Sequence, residues 1–459
     1  MEAVRTFRLS KSRITAGLQC GRRLWLTVHR PDLQVYSAET ERRFTAGNDV
    51  GEIARSLYGP GVLIDGRDLS AAVRDTEAAL ARPGDVTLFE ATFRHRGVLV
   101  RVDVLQRRDG HCRLIEVKSA TRLKEYHVQD VAVQAWVTEG AGLPLDTLSV
   151  AVIDTGYVFQ GGSDYRGLLR EVPVADQARP VMAHIPGWVR GFNELLAGPP
   201  PVIPPGPRCR RPFECPFVAF CEGRELGDQL SVLSPPPKAR EWPDPALGTL
   251  DPAATAFLAT LPYPRFYLDF ETVQFAVPRW PGTRPYQQLV FQWSCHAEDR
   301  QGTLEHREFL DTGGAAPMRA AAETLLETLG SRGPIFVYHD FEKWRLVEMA
   351  AMFPDLAPDL DRVAGRLIDL LRLTRDHYEH PALNGSYSLK SVLPTVDAQL
   401  DHALLDEVRD GLSAQAAYHE CVDPETSAER RETLRAALLE YCGLDTLALV
   451  RVAHRFRRG

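Results

Sequence analysis

The stretch "GVLVRVDVLQRRDGHCRLIEVKSA" (97–120) carries two acids and a lysine with a spacing that can do chemistry on a charged substrate. β-Branched runs flank Asp109-Gly110, a pair that favours a two-residue hairpin turn. Counting outward from that turn sets Asp103 opposite Glu116, on one face of the sheet. Lys118, two residues on, shares that face. Facing carboxylates repel unless a cation stands between them. Asp103 and Glu116 are therefore expected to hold Mg²⁺ or Mn²⁺ through oxygen. Lys118 would orient or deprotonate a water, or stabilise charge building on a phosphate. The neighbours Val100, Val102, Val104, Leu114, Ile115 and Val117 argue for a buried hairpin rather than a solvated one.

A second set of acids lies in the C-terminal half. In "RFYLDFETVQF" (265–275), Asp269 and Glu271 share a face of an expected strand. In "LLEYCGLDTLALV" (438–450), Tyr441 and Asp445 are one turn apart on an expected helix. Between them, "IFVYHDFEKWRL" (335–346) is an apolar strand followed by Asp340 and Glu342. Polar residues on the flanks of apolar elements point to a shared acidic cleft. Clustered carboxylates require cations, and two-metal phosphoryl chemistry uses such a cluster.

Three of the eight cysteines, Cys209, Cys215 and Cys221, fall in "CRRPFECPFVAFC" (209–221). The first residues, MEAVRTFRLSKSR, lack the apolar core of a signal peptide, and no run of about 18 apolar residues occurs. The expected location is the cytoplasm, with no membrane association. Thiols stay reduced there, so clustered cysteines point to metal binding or reactivity. Cys112, Cys295, Cys421 and Cys442 are isolated and read as small core residues.

The elements that must position these groups follow from periodicity and breakers. The first half is expected to form strands at 86–94, 97–106 and 112–118, a helix at 126–139 and a strand at 147–158. The second half is expected to form strands at 265–273, 287–297 and 334–338, with helices at 315–329, 340–352 and 428–456. Two Pro-rich stretches, "GPPPVIPPGP" (198–207) and "SPPPKAREWPDP" (234–245), disfavour helix and inner strand. The organisation read from this is a domain over 1–227, a Pro-rich linker over 228–259 and a domain over 260–459, both α/β. A net charge of −7 argues against broad nonspecific nucleic-acid binding. Residues 1–30, however, carry seven Lys or Arg against one acid, enough to meet phosphates locally.

Asp103 with Glu116-Val117-Lys118 resembles the D…ExK core of the PD-(D/E)xK nuclease superfamily. Gln134, in "DVAVQAWV", resembles the glutamine that follows this core in RecB-type nucleases. The likeness implies a restriction-endonuclease-like fold. It also implies a metal-binding His in an early helix, but "TAGNDVGEIAR" (45–55) has none and offers Asn48, Asp49 or Glu52 instead. The Tyr often found four residues after the glutamine is Thr138. RecB-like nucleases of the helicase–nuclease type often carry a [4Fe–4S] cluster, with one cysteine before the core and three after it. By that likeness Cys20 joins Cys209, Cys215 and Cys221 as a ligand, closing a clasp around the domain. Four thiolates also satisfy zinc, but both five-residue gaps here exceed the usual tight zinc pairs.

The C-terminal set resembles the DEDD exonucleases of the DnaQ type, with a ribonuclease-H-like fold, in the subclass bearing a tyrosine. By resemblance Asp269, Glu271 and Asp445 are metal ligands and Tyr441 positions the attacking water. The middle acid is Glu342, where the family has Asp, with Asp340 as the second candidate. Through stretches such as "SKSRITAGLQCGRRLWL", "TRPYQQLVFQWSCH" and "GSYSLKSVLP" the whole chain resembles uncharacterised bacterial proteins that join a RecB-like nuclease domain, its cysteine cluster and a ribonuclease-H-like domain. The likenesses imply a metal-dependent DNA nuclease with two candidate active sites, an exonuclease on single-stranded DNA or DNA ends. The alternatives are an RNA-processing 3'-5' exonuclease, or a nucleic-acid-binding scaffold with one or both sites degenerate.

Overall fold

The structure, a computed structural model, describes residues 9–66, 68–223, 248–397, 400, 405 and 407–458. They divide into two compact units: Met1–Pro235 with Phe275–Tyr286, and Pro236–Gln274 with Gln287–Gly459. Both mix sheet and helix, so the chain is α/β. Among the described residues no helix is long and apolar enough to cross a membrane.

Unit 1 holds a seven-stranded sheet of β1 (Leu9–Ser10), β2 (Val62–Leu63), β3 (Val86–His95), β4 (Val98–Arg108), β5 (His111–Lys118), β6 (Thr147–Ile153) and β7 (Leu169–Pro173), ordered β2-β3-β4-β5-β6-β7 with β1 beside β4. Its helices are α1 (Lys11–Gln19), α2 (Gly21–His29), α3 (Ala38–Leu57), α4 (Leu69–Leu80), α5 (Glu125–Gly140), α6 (Ala175–Met182), α7 (Ile185–Ala197) and α8 (Val218–Cys221). The β4–β5 turn is the expected one. Asp109 and Gly110 have φ of 49° and 82°, the positive values that a type I′ turn needs at both central positions. The register counted from the sequence holds from Arg108↔His111 to Val104↔Ile115.

There the ladder stops, one pair short of Asp103 and Glu116. Beyond it β5 runs on beside β6, pairing Glu116↔Val150 and Lys118↔Val152 in parallel. The edge of β4 that β5 vacates is taken by β1, with Leu9↔Val98 and Ser10↔Leu99. A gap in the sheet therefore opens beside the two acids. α5 closes one side of it, its Val131, Ala132 and Ala135 buried with Val100, Val102, Leu114 and Val150. Each valine or leucine so buried contributes about 1.5–3 kcal/mol, and the small alanines let α5 approach the strands closely.

Unit 2 has β8 (Thr249–Leu250), α9 (Pro252–Thr260) and a five-stranded sheet: β9 (Arg265–Val273), β10 (Leu289–Glu298), β11 (Leu304–Leu310), β12 (Ile335–Val337) and β13 (Leu367–Asp369). The order is β11-β10-β9-β12-β13, antiparallel on the β10–β11 side and parallel through β12 and β13. β14 (Tyr378–Glu379) pairs with β8. Helices α10 (Met318–Leu329), α11 (Phe341–Met352), α12 (Ala357–Ala364), α13 (Leu370–His377), α14 (Leu389–Val396), α15 (Gly411–Val422) and α16 (Ala428–Arg458) complete it. Alternation along β9 sorts its side chains. Phe266, Leu268 and Phe270 pack on Leu325, Leu346 and Met349. Tyr267 turns to the other face, where Leu449, Val452 and Phe456 of α16 lie. Asp269 and Glu271 share the parity of Tyr267 and so face α16.

Three expectations about organisation change. Of the linker read over 228–259, residues 228–247 lie outside the described residues. Residues 249–260 are instead built into unit 2: β8 pairs with β14, and α9 is N-capped by Asp251 and buries Ala254 and Leu258. The domain read over 260–459 gives up Phe275–Tyr286 to unit 1, where Ala276 packs with Val50, Ile153 and Leu168. The strand read over 147–158 stops at Ile153. β11 was not anticipated, because its "LEHREFL" is mostly exposed and polar, as an edge strand can be.

Candidate functional site

In unit 1 the gap in the sheet collects the predicted residues. Asp103 turns its carboxylate to the backbone N–H of Val117, which donates to Oδ2 at 2.7 Å. Glu116 is 1% exposed and anchors the site. Lys118 Nζ lies 2.7 Å from its Oε1 and donates to Asp130 Oδ2 at 2.7 Å. The Gln134 side-chain amide donates to Glu116 Oε2. The other Gln134 atom, Oε1, is buried and has no hydrogen-bond partner. Thr138 is fully buried one turn farther along α5.

Two residues that sequence reasoning missed complete this network. Lys11 donates to Glu116 Oε1 at 2.5 Å. Asp130 receives Lys118 and, at 3.2 Å, the Thr15 hydroxyl. Lys11 is there because β1 fills the vacated edge of β4. The chain then turns into α1 through the Ser10 N-cap, and its first helical residue drops beside Glu116. No local signal marks a contact 105 residues apart. A third missed residue, the acid Glu90, falls opposite Asp103 between the pairs Phe89↔Val104 and Ala91↔Val102. Its φ of 57° is left-handed, in the middle of a strand.

Burial and charge set the electrostatics. Burial, then the neighbouring Glu116, pushes Asp103 up to about 7. Burial works against the Glu116 carboxylate too, but Lys11 and Lys118 together hold it well below the usual range. Burial, then the Lys118 charge, brings His127 down to about 4. Above the acids lies a cleft of about 760 Å³. Asn48 and Glu52 of α3 line it, so two of the three candidates for the early-helix position face the site. Asp49, the third, is not among its lining residues and has Arg279 and Glu52 as its charged neighbours.

In unit 2, Asp269, Glu271 and Asp445 each offer an oxygen, and these lie within 4.8 Å of one another. β9 supplies the first two and α16 the third, with Tyr441 one turn before it and 5% exposed. Burial, then Asp445, drives both β9 acids well above the carboxylate range. The same two influences raise the Tyr441 hydroxyl. Glu342 is 3% exposed at the start of α11, and its Oε2 is buried without a hydrogen-bond partner. Burial, then Asp369 and Asp445, pushes it up to about 8. Asp340, the alternative acid, is exposed at the N-cap position of α11. Glu342 is thus the inward one. A bulge in β10 between Val290 and Gln292 falls beside Glu271, a common device for re-aiming side chains at sites. Cys442 is buried as a core residue would be, but its thiol also donates to Asp269 Oδ2 at 3.6 Å. Lys390 sits 5.8 Å from the Tyr441 ring centre and lowers the pKa of Glu271.

The four predicted cysteines line one small cavity in unit 1, together with Arg22 and Arg23. Cys20 stands at the junction of α1 and α2, and Cys221 ends α8. The two ends of the unit are sewn together around them. The Gln19 amide donates to Arg208 O and Phe213 O, both at 2.7 Å, and Val35 N donates to Pro216 O at 2.9 Å. Burial pushes the Cys215 thiol up to about 11 and raises Cys221 as well.

Residues 266–388 match a family described as a domain of unknown function, DUF2779. That stretch holds Asp269, Glu271 and Glu342 but ends before Tyr441 and Asp445. The chain is also similar to the uncharacterized protein MG366 homolog of Mycoplasma pneumoniae. The two are 27% identical over 212 residues, which are 41% of this chain and 31% of the relative.

Proposed function

We propose that the chain is a metal-dependent nuclease with two centres, one in each unit, acting on DNA. The observation that carries this is the meeting of Asp269, Glu271 and Asp445 within 4.8 Å in a buried setting. Buried acids that close repel strongly and are retained where a cation is to be held. The orphaned Oε2 of Glu342 fits a further ligand at the same place. Mg²⁺ or Mn²⁺ held by these residues would supply Lewis-acid activation of water and stabilisation of the leaving oxygen. Tyr441 would orient that water through its hydroxyl. This is the ribonuclease-H-like DEDD reading.

Unit 1 supports a PD-(D/E)xK reading. Asp103 and Glu116 would hold a cation in the gap of the sheet. Lys118, fixed by Glu116 and Asp130, would stabilise charge on the phosphate, and Lys11 supplies a second positive group at the same carboxylate. Gln134 fixes the rotamer of Glu116.

The cysteine cavity fits a [4Fe–4S] cluster. Arg22 and Arg23 would offset the charge of four thiolates. Thiols raised by burial need a bound cation to ionise at neutral pH. A reducing cytoplasm is the compartment this chemistry needs.

The test uses anaerobically purified protein, labelled single- and double-stranded DNA, matched RNA, and Mn²⁺. Glu116→Ala and Asp269→Ala should each lower cleavage, and the double variant should abolish it. A double variant that cleaves like wild type sinks the reading. Binding without any metal-dependent cleavage would reduce the chain to a scaffold, and preference for RNA would move it to RNA processing.

A further inference from the structure

One face of α3 is open among the described residues. Phe44, Gly47, Gly51 and Arg55 follow one another at helical spacing, and all line the cleft above Asp103 and Glu116. The face spans about 16 Å at 1.5 Å per residue. Gly47 and Gly51 lie inside the helix, where each glycine costs roughly 1 kcal/mol relative to alanine. Glycine is usually kept there for close packing. Here a Cβ at either position would meet nothing within 4 Å. Among the described residues nothing fills the space these glycines leave open.

The end of the face is aromatic and open. Phe44 is 53% exposed and Tyr36 40% exposed, and their rings meet edge to face at 5.3 Å. The cleft is polar and of mixed charge: Lys11, Arg43, Arg55 and Lys118 line it together with Glu52, Glu90, Asp103 and Glu116, with Lys11 bonded to Glu116 and Arg43 to Glu39. An apolar protein partner would want a wider apolar rim. An exposed aromatic ring on a helix that also brings Arg43 and Arg55 to the cleft suits an unpaired base with its phosphates.

We propose that this face of α3 seats a single-stranded nucleic acid, with a base stacked on Phe44 and the backbone passing over Gly47 and Gly51 towards Arg55. The proposal rests on the nuclease reading for its direction, since the track leads to the Asp103–Glu116 gap. A duplex cannot use it, because its bases already stack on each other. Tyr36 braces the Phe44 ring from the side. The open helix backbone allows the strand to lie close.

The test is fluorescence anisotropy with the full chain in EDTA, so that binding is read without cleavage. The probes are a labelled oligothymidine single strand and a blunt DNA duplex. Phe44→Ala should weaken single-strand binding about five- to a hundredfold and leave the duplex unchanged. Phe44→Trp should restore it. Gly51→Leu fills the open face while raising helix propensity, so it should fold and still weaken the single strand. If Phe44→Ala binds the single strand like wild type, or loses strand and duplex equally, the proposal is overturned. Cleavage by Glu116→Ala equal to wild type would instead remove the nuclease reading and leave this binding result standing.

Discussion

The Asp103 carboxylate accepts the backbone N–H of Val117 at 2.7 Å, where the β4–β5 ladder has already ended. A side chain thus takes over the bond that a paired strand would make, and it holds the gap open. Asn at 103 keeps an acceptor for Val117 and loses the charge. Asp103→Asn should therefore fold with wild-type stability or slightly more, and lose metal-dependent cleavage. Asp103→Ala leaves the N–H without its acceptor and should cost about 1–2 kcal/mol in urea unfolding. Equal stability of the two variants would show that the bond does not hold the gap.

Asp269, Glu271 and Asp445 repel one another. Asp269→Asn should therefore raise the melting temperature of unit 2 in EDTA. Wild type should gain stability on adding Mn²⁺, as anything that binds only the folded state does. The variant should gain much less. Scanning calorimetry with and without Mn²⁺ checks this, and a destabilised Asp269→Asn in EDTA would count against mutual repulsion.

The parts of the fold legible in the sequence were those with a local rule behind them. Asp109-Gly110 set the β4–β5 register, and β9 alternation put Asp269 and Glu271 on one face. The parts that were not legible depend on distant chain meeting by packing. Lys11 reaches Glu116 only because β1 occupies an edge that β5 leaves free. Glu90 reads as an ordinary polar strand residue, since nothing in its type announces a left-handed φ. Residues 249–260 looked like linker because a two-residue strand and a nine-residue helix carry little periodicity.

Glu90 holds a conformation that costs an ordinary residue about 1–2 kcal/mol, opposite Asp103 in register. Strain of that kind is revealed by comparing glycine with alanine at the same position. At most strand positions alanine is the more stable by about 0.5–1 kcal/mol. At 90 the order should reverse, with Glu90→Gly more stable than Glu90→Ala by about 1 kcal/mol. Chemical unfolding of the two variants reads this directly, and alanine ahead of glycine would refute the strain.

Cys20 faces the same cavity as Cys209, Cys215 and Cys221, across a seam sewn by Gln19. Ligation of all four would tie the two ends of unit 1 together, so binding energy becomes folding energy. Cys20→Ala should lose the visible absorbance of the anaerobically purified protein and lower the melting temperature of unit 1. Cys112→Ala, a buried control outside the cavity, should keep the absorbance. A colourless wild type carrying zinc would overturn the cluster.

Glu298 offers a pH test away from both centres. It is 1% exposed and accepts Tyr267 at 2.8 Å, His454 at 2.9 Å and Arg457 at 2.5 Å. Burial alone would raise its pKa, but these three partners bring it from 4.5 down to about 2. A depressed carboxylate contributes stability that is fully present above its unfolded value and is lost as pH falls through its folded value. The contribution here is on the order of 3 kcal/mol. Glu298→Gln removes the titration while keeping an acceptor oxygen. Wild type should therefore exceed Glu298→Gln in stability at pH 6, and the gap should shrink below pH about 4.5 and close towards pH about 2. Urea unfolding of both proteins across that range decides it. A gap that does not change with pH would mean the carboxylate charge is not what the three partners stabilise.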